Sequence, residues 1–315
     1  MKNKLKIKRY LEQFNSIENQ TFIITGANSG LGYSTAKHLT SLGARVVMAC
    51  RNLDKAELAK NEIKKLYPNA KLSIIHYDQA DFKSIDVFVE EVFKSHADFK
   101  SIILNAGIYH PKKGLLTKDG YPLTMGTNYI GVYYLLTKLK DKGLLDDKKE
   151  RSIVFIGSLS WHAIKRSDIK TIMTSSKGSG ITVYSRSKTL LGSLAYLLSR
   201  HEENDVLWVS QNIKVLLMHP GITSTNIVGS IHSSYPNWFS KLAQKALNMF
   251  VHHPDKASLG IVKLALAKHV DENKIMVPRG LFQISGYPKT KKYPSNLKRM
   301  NQTLINISKD VINHK

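Results

Sequence analysis

The chain has 315 residues, 42% of them hydrophobic, which excludes wholesale disorder and fits one large α/β domain with extensions. Its formal net charge is +23, from 47 Lys and Arg against 24 Asp and Glu. No nucleic-acid-binding motif accompanies the basic clusters at residues 2–9, 148–151 and 289–292, so nucleic acid is not an expected partner and the charge reads as a general attraction for anionic ligands. The single cysteine, Cys50, excludes an intrachain disulfide and a zinc knuckle.

The basic opening is followed by no apolar h-region, and no apolar run reaches the ~18–20 residues that span a bilayer. A cytoplasmic location is therefore expected. Residues 21–25 form a short apolar, β-rich run that leads into glycines and predicts a first strand. A helix is expected over 34–42, a strand over 44–50 and a charged helix over 53–66, halted near Pro68. The third strand falls at 72–77, with a helix around 85–93. Two buried strands follow at 101–104 and 153–156, with a helix through 128–139 between them. A long helix over 181–198 and a sixth strand over 213–218 complete the legible pattern.

Strands this apolar, alternating with helices, are buried on both faces and predict a parallel, doubly wound α/β sheet of the Rossmann type. No repeat or linker divides residues 19–280, which read as one domain. Residues 1–18 form a basic N-terminal extension, and 281–315 a Lys-rich C-terminal one whose structure the pattern does not reveal.

Thr25, Gly26, Ala27, Asn28, Ser29, Gly30, Leu31 and Gly32 lie where the first strand becomes the first helix of the sheet. Glycine lets a chain turn sharply and bring backbone N–H groups to a pyrophosphate, beside the positive end of a helix. The spacing G-x-x-x-G-x-G departs from the G-x-G-x-x-G fingerprint, so a purely structural turn competes with a dinucleotide site. At the end of the second strand the chain reads Ala49-Cys50-Arg51-Asn52, with no acid before Asp54. An acid there binds a ribose 2′-hydroxyl, whereas an arginine accommodates a 2′-phosphate, so NADP(H) is favoured over NAD(H).

Tyr184 and Lys188 stand four residues apart in a helix and share one face. A free phenol has a pKa near ~10, and a neighbouring ammonium is expected to lower it toward the working range. Ser158 closes the strand at 153–156, where ligands of open α/β sheets bind, and suits hydrogen bonding to a substrate oxygen. Ser160 competes for that place.

These residues carry a resemblance to the short-chain dehydrogenase/reductase family, in particular to its branch of retinol dehydrogenases and protochlorophyllide reductases. It rests on the Gly26–Gly32 turn, the A-C-R-N stretch and Asn105-Ala106-Gly107. Asp119-Gly120-Tyr121, Asn128-Tyr129-Ile130-Gly131, Ser158, Tyr184 with Lys188, and His219-Pro220-Gly221 with Thr225 follow in family order. The resemblance implies a seven-stranded parallel sheet, a homodimer or homotetramer, and no metal. It implies interconversion of a carbonyl and an alcohol by hydride transfer with a nicotinamide cofactor. In that scheme Tyr184 is the acid/base, Ser158 orients the substrate oxygen, Lys188 holds the nicotinamide ribose, and Asn128 supports a water-linked proton relay. Asp78 would meet adenine, Asn105, Ala106 and Gly107 would line the cofactor floor, and Pro220, Gly221, Ile222 and Thr225 would contact the carboxamide or diphosphate.

Two departures stand out: Gly157 precedes Ser158 where serine is usual, and Gln79 follows Asp78 where an aliphatic residue is commoner. An alternative is a non-enzymatic NADP(H)-binding sensor on the same fold. Residues 230–253, the family's substrate lid, carry an apolar stripe of Trp238, Phe239, Leu242, Ala246, Met249 and Phe250. It suits covering an apolar substrate, packing on a partner subunit, or peripheral contact with an anionic membrane.

Overall fold

The computed structural model describes every residue except 1, 15–16, 110–113, 146–148, 161–163, 176, 204–205, 222–251, 268–269 and 314–315. Among the described residues, one sheet contains β1 (Thr21–Thr25), β2 (Arg45–Cys50), β3 (Lys71–His76) and β4 (Ser101–Leu104). It also holds β5 (Arg151–Ile156), β6 (Ile213–Met218), β7 (Lys274–Pro278) and β8 (Pro288–Lys292). The strand order is β3-β2-β1-β4-β5-β6-β7-β8. β1 to β7 pair in parallel, and β8 runs antiparallel to β7.

The sheet thus has eight strands where seven parallel ones were expected. The extra strand comes from the Lys-rich segment beyond Gly280, and Lys291 and Lys292 are exposed along it. Charge on an edge strand discourages pairing with another chain.

Strand side chains alternate between two cores, as a pleat of period two requires. Ile23, Ile102, Leu104, Ile153, Phe155, Val215 and Leu217 face one core. Phe22, Ile24, Ile103, Val154, Ile156, Leu216 and Met218 face the other. The first is covered by α4 (Phe82–His96), α6 (Gly131–Asp141) and α8 (Gly180–Leu198). The second is covered by α2 (Gly30–Ser41), α3 (Leu53–Leu66) and α10 (Leu259–Leu266). The remaining helices are α1 (Lys2–Leu11), α5 (Leu123–Met125), α7 (Ile169–Thr174), α9 (Pro254–Ala257), α11 (Ser295–Lys298) and α12 (Thr303–Asn313). Each fully buried Leu, Ile or Phe contributes roughly 1.5–3 kcal/mol.

The C-terminal segment is part of this packing. Leu297, Met300, Leu304, Ile305 and Val311 are buried in the first core. Three buried tyrosines bolt α12 down: Tyr121 Oη donates to the Val311 carbonyl at 2.9 Å, and Tyr133 Oη to that of Ile305 at 3.0 Å. Tyr129 Oη lies 2.7 Å from Ser308 Oγ.

Candidate active site

The strand order reverses between β1 and β4, since β2 and β3 lie to one side and β5 to β8 to the other. In open α/β sheets the crevice outside the carboxyl ends of the strands at such a reversal receives the ligand. Gly26 (φ +67°) and Gly30 (φ +55°), in the turn that leaves β1, hold backbone that glycine adopts without strain. A Cβ on Gly32 would lie 2.3 Å from the Gly26 carbonyl oxygen and 2.6 Å from Asn105 Nδ2. Helix α2 therefore approaches the turn this closely only because residue 32 has no side chain.

Ser29 occupies the N-cap of α2 in extended backbone, and its hydroxyl makes no capping bond. The N–H groups of the first turn, from Gly30 to Gly32, have no partner within the helix, which suits an anion. Leu31 is buried beneath. The backbone N–H groups of Ala27 and Asn28 instead donate to the thiol of Cys50, which burial nevertheless pushes up to about 11. No pattern in the sequence signals that contact.

Asn105 clamps the turn to β4. Its Nδ2 donates to the carbonyls of Thr25 at 2.8 Å and Gly26 at 3.2 Å. Thr25 Oγ1 accepts from the backbone of Asn105 at 3.0 Å and of Ala106 at 2.9 Å. Beyond β2, Arg51 is exposed, while Asn52 caps α3 by accepting from the Lys55 N–H at 2.7 Å. Asp78 follows β3 half-buried and accepts from the Ala80 N–H at 3.0 Å.

Asn128 is fully buried in a π-helical turn, Gly126–Ile130, that joins α5 to α6. Its Oδ1 accepts from the Ile108 N–H at 2.8 Å, and its Nδ2 donates to the Ile108 carbonyl at 2.8 Å and to Ser187 Oγ at 3.1 Å. Gly107 is wedged beside it: a Cβ there would lie 3.2 Å from Asn128 Oδ1 and 3.3 Å from Lys188 Nζ.

Tyr184 and Lys188 are buried one turn apart on α8. Lys188 Nζ donates to the Ile156 carbonyl at 2.9 Å. Tyr184 is hydrogen-bonded to Ser158, whose Oγ also accepts from the Ser160 N–H at 3.2 Å. Ser160 thus supports Ser158 through its backbone. The ring of Tyr109 meets that of Tyr184 edge-on, with centroids 5.8 Å apart.

The electrostatics differ from the expectation that the ammonium would lower the phenol. Burial pushes the Tyr184 phenol above its ordinary value, and the bond to Ser158 offsets only part of this. Burial also lowers Lys188 to about 8. A low-dielectric surrounding disfavours both charged forms, and within the protein itself that effect wins.

After β6, His219 is fully buried, with Nε2 3.1 Å from Gln283 Oε1 and Nδ1 accepting from the Gly221 N–H at 3.0 Å. Gly221 turns at φ +81°, where a Cβ would strike the Ile284 carbonyl oxygen at 2.0 Å. The Pro220 carbonyl lies 3.2 Å from Nδ1 of buried His252. Ile222 and Thr225 lie outside the described residues, as does the segment 230–251 with its apolar stripe. Among the described residues, no three His, Cys, Asp or Glu side chains cluster to hold a metal, and no helix is long and apolar enough to cross a membrane.

The glycine turn, the clamp of Asn105, and the trio of Asn128, Tyr184 and Lys188 therefore converge at one end of a parallel sheet, which defines a nucleotide-binding α/β protein. The family model for short chain dehydrogenases matches residues 20–236. Retinol dehydrogenase 14 of Mus musculus is 32% identical over 228 residues, covering 69% of this chain and 65% of that protein. The protochlorophyllide reductase of Chlamydomonas reinhardtii is 38% identical over 151 residues, covering 45% of this chain and 36% of that protein. A solved structure of a putative uncharacterized protein from Mycobacterium paratuberculosis shares the fold, with a TM-score of 0.71 at 22% identity over 96% of this chain and 97% of that one. The chain belongs to the short-chain dehydrogenase family, in its retinol dehydrogenase-like branch. It spans just under two thirds of the length of the mouse relative.

Proposed function

We propose that the protein is an NADP(H)-dependent oxidoreductase that interconverts a carbonyl and an alcohol on an apolar small molecule. The observation that carries the reading is the buried Tyr184, bonded to Ser158 and one helical turn from the buried Lys188 ammonium beside Gly107. A site with no proton chemistry has no use for that trio at the ligand-binding end of the sheet.

The residues present fit a dinucleotide. The uncapped start of α2 and the turn with Gly26, Asn28, Ser29, Gly30 and Gly32 would receive the diphosphate. Arg51 and Asn52 would meet a 2′-phosphate, and Asp78 the adenine end. Asn105, Ala106 and Gly107 would form the floor, with Pro220, Gly221, Ile222 and Thr225 on the far side. Lys188, aimed across Gly107, would bond the ribose hydroxyls. When bound, the nicotinamide supplies or accepts the hydride.

The chain's own groups handle the proton. Ser158 donates to the substrate oxygen and stabilises charge that develops there. Tyr184 gives its proton to that oxygen as a carbonyl is reduced and takes it back in the reverse direction. Asn128, gripping Ile108 and Ser187, keeps the strand exit at Gly107 and the α8 helix in register. Support for an apolar substrate comes from Tyr109 beside Tyr184, and from exposed Leu159 and Ile181, which flank Ser158 and the start of α8. The relatives named for retinol and protochlorophyllide agree in substrate character.

The test is Tyr184→Phe, assayed by absorbance with NADPH and a panel of aldehydes and ketones. Turnover should fall by at least about 10²-fold, the scale of general acid catalysis, while NADPH affinity is retained. Undiminished turnover would refute the role given to Tyr184.

A further inference from the structure

Gln79 is buried, at the position where the family resemblance leads to the expectation of an aliphatic side chain. Its Nε2 donates to the Ala106 carbonyl at 3.1 Å and, more closely, to the Thr127 carbonyl. Its Oε1 accepts from Tyr77 Oη at 3.1 Å. Two of these partners are carbonyls, which only accept, so the orientation of the amide is fixed by chemistry. Both amide N–H groups are then engaged with protein and are not free to donate to adenine.

The elements joined are the informative part. Ala106 opens the floor that passes Lys188 Nζ at Gly107. Thr127 precedes Asn128, which grips Ile108 from the other end. The main chain of Gln79 is pressed on the residue that follows this turn: a Cβ on Gly131, the first residue of α6, would lie 2.0 Å from the Gln79 carbonyl oxygen. A π-helical turn is rare and shifts the helix out of its i to i−4 bonding, and here the Thr127 carbonyl within it accepts from Gln79. An aliphatic side chain at 79 would leave the Ala106 and Thr127 carbonyls without this donor.

We infer that Gln79 is a positioning residue for the reaction, a brace that holds residues 106–108 and the π-helical turn at Asn128 in the geometry that Lys188 and Tyr184 require. The inference rests on the proposed oxidoreductase reading for its kinetic consequence, though not for its structural one. Residues 106 and 127 come from different elements, and Gln79 belongs to a third, the exit of β3. One side chain therefore couples the adenine end of the crevice to the end where proton transfer takes place. It acts through backbone and touches no reacting atom.

The test compares full-length wild type with Gln79→Leu and Gln79→Glu in two measurements. In the first, the exchange of the Ile108 amide with deuterium is followed without ligand. Loss of a buried donor of this kind is worth about 1.4 kcal/mol or more, so exchange should quicken at least about tenfold in both variants. The amides of β1 and β2 should exchange as before. In the second, kcat should fall about tenfold per folded molecule while KM for NADPH stays within about twofold, as expected of lost alignment rather than lost binding. Tyr77→Phe, which removes only the acceptor-side contact, should leave both readouts near wild type. Unchanged exchange at Ile108 would overturn the brace, and so would a variant that only melts earlier while its kcat per folded molecule is unaltered. Should wild type itself turn over no carbonyl, the oxidoreductase reading fails, and the exchange measurement still decides the placement of Gln79.

Discussion

Replacing Gly32 with alanine perturbs one contact whose geometry is known. The new Cβ would lie 2.3 Å from the Gly26 carbonyl oxygen, 3.0 Å from the Gly26 carbonyl carbon and 2.6 Å from Asn105 Nδ2. Ordinary carbon–oxygen contact needs about 3.3 Å or more, so something must move by about 1 Å. The Gly26 carbonyl cannot retreat cheaply, because Asn105 Nδ2 holds it and the residue sits at φ +67°. Helix α2 must tilt away instead. Overpacking of this kind costs roughly 1–3 kcal/mol, enough to lower Tm by a few degrees in a domain of this size. The larger consequence is for a bound diphosphate, since the same movement withdraws the N–H groups at the start of α2. A ligand at about 100 times its Kd stabilises the folded state by about 2.7 kcal/mol, and the variant should lose most of that gain. The assay is thermal melting of both proteins with and without NADPH. A Gly32→Ala protein with unchanged Tm, and with the same NADPH-induced rise, would refute the assignment of this turn.

Arg51→Ala should weaken NADPH binding about tenfold or more, the scale of a charge-assisted bond, and leave NADH binding within about twofold; equal weakening of both, by fluorescence titration, would remove Arg51 from cofactor choice. His219 makes the pH prediction. Burial pushes it down to about 4 in the folded chain, against about 6.5 when unfolded. Between those values the unfolded chain binds more protons, so stability should fall as pH drops from about 6.5 to about 4, by up to roughly 3 kcal/mol. Chemical denaturation of His219→Gln should show a flatter slope across that window, and a slope identical to wild type would sink the assignment.

Much of the frame was legible because its signals are local. The strands at 21–25, 101–104 and 213–218 and the helix at 53–66 match their expected limits residue for residue. Each is a bounded apolar run or a helix with clear stops. Helix α2 begins at Gly30 rather than Ser34, because glycines that read as a loop also open the helix they make room for. β7 offers only Ile275, Met276 and Val277 as an apolar core, and β8 is Pro-Lys-Thr-Lys-Lys, a composition that gives no strand signal without β7 alongside. The burial of α12 depends on tyrosine hydroxyls from more than 170 positions away in sequence. In the site, residue types announced Tyr184, Lys188 and the glycine turn. No pattern could announce that Cys50 takes two amides of the turn, or that Gln79 is a brace rather than a lapse from the family.

The protonation states bear on which form of Tyr184 the site holds ready for the proposed reaction. A carbonyl reduction needs a proton donor at Tyr184, and an alcohol oxidation needs a phenolate. Burial holds the phenol above its ordinary value, so near neutral pH the hydroxyl rests protonated, ready as a donor. The Lys188 ammonium, at about 8, is still mostly charged there, and the Ile156 carbonyl fixes where it points. Running the reaction backward requires that the phenolate be stabilised by more than Ser158 alone supplies. A further hydrogen-bond donor or a positive charge drawn closer to the oxygen does that in a dry pocket. One barrier serves both directions, so the same three groups act whichever way the proposed hydride moves, and the balance of reduced and oxidised nicotinamide sets the net direction.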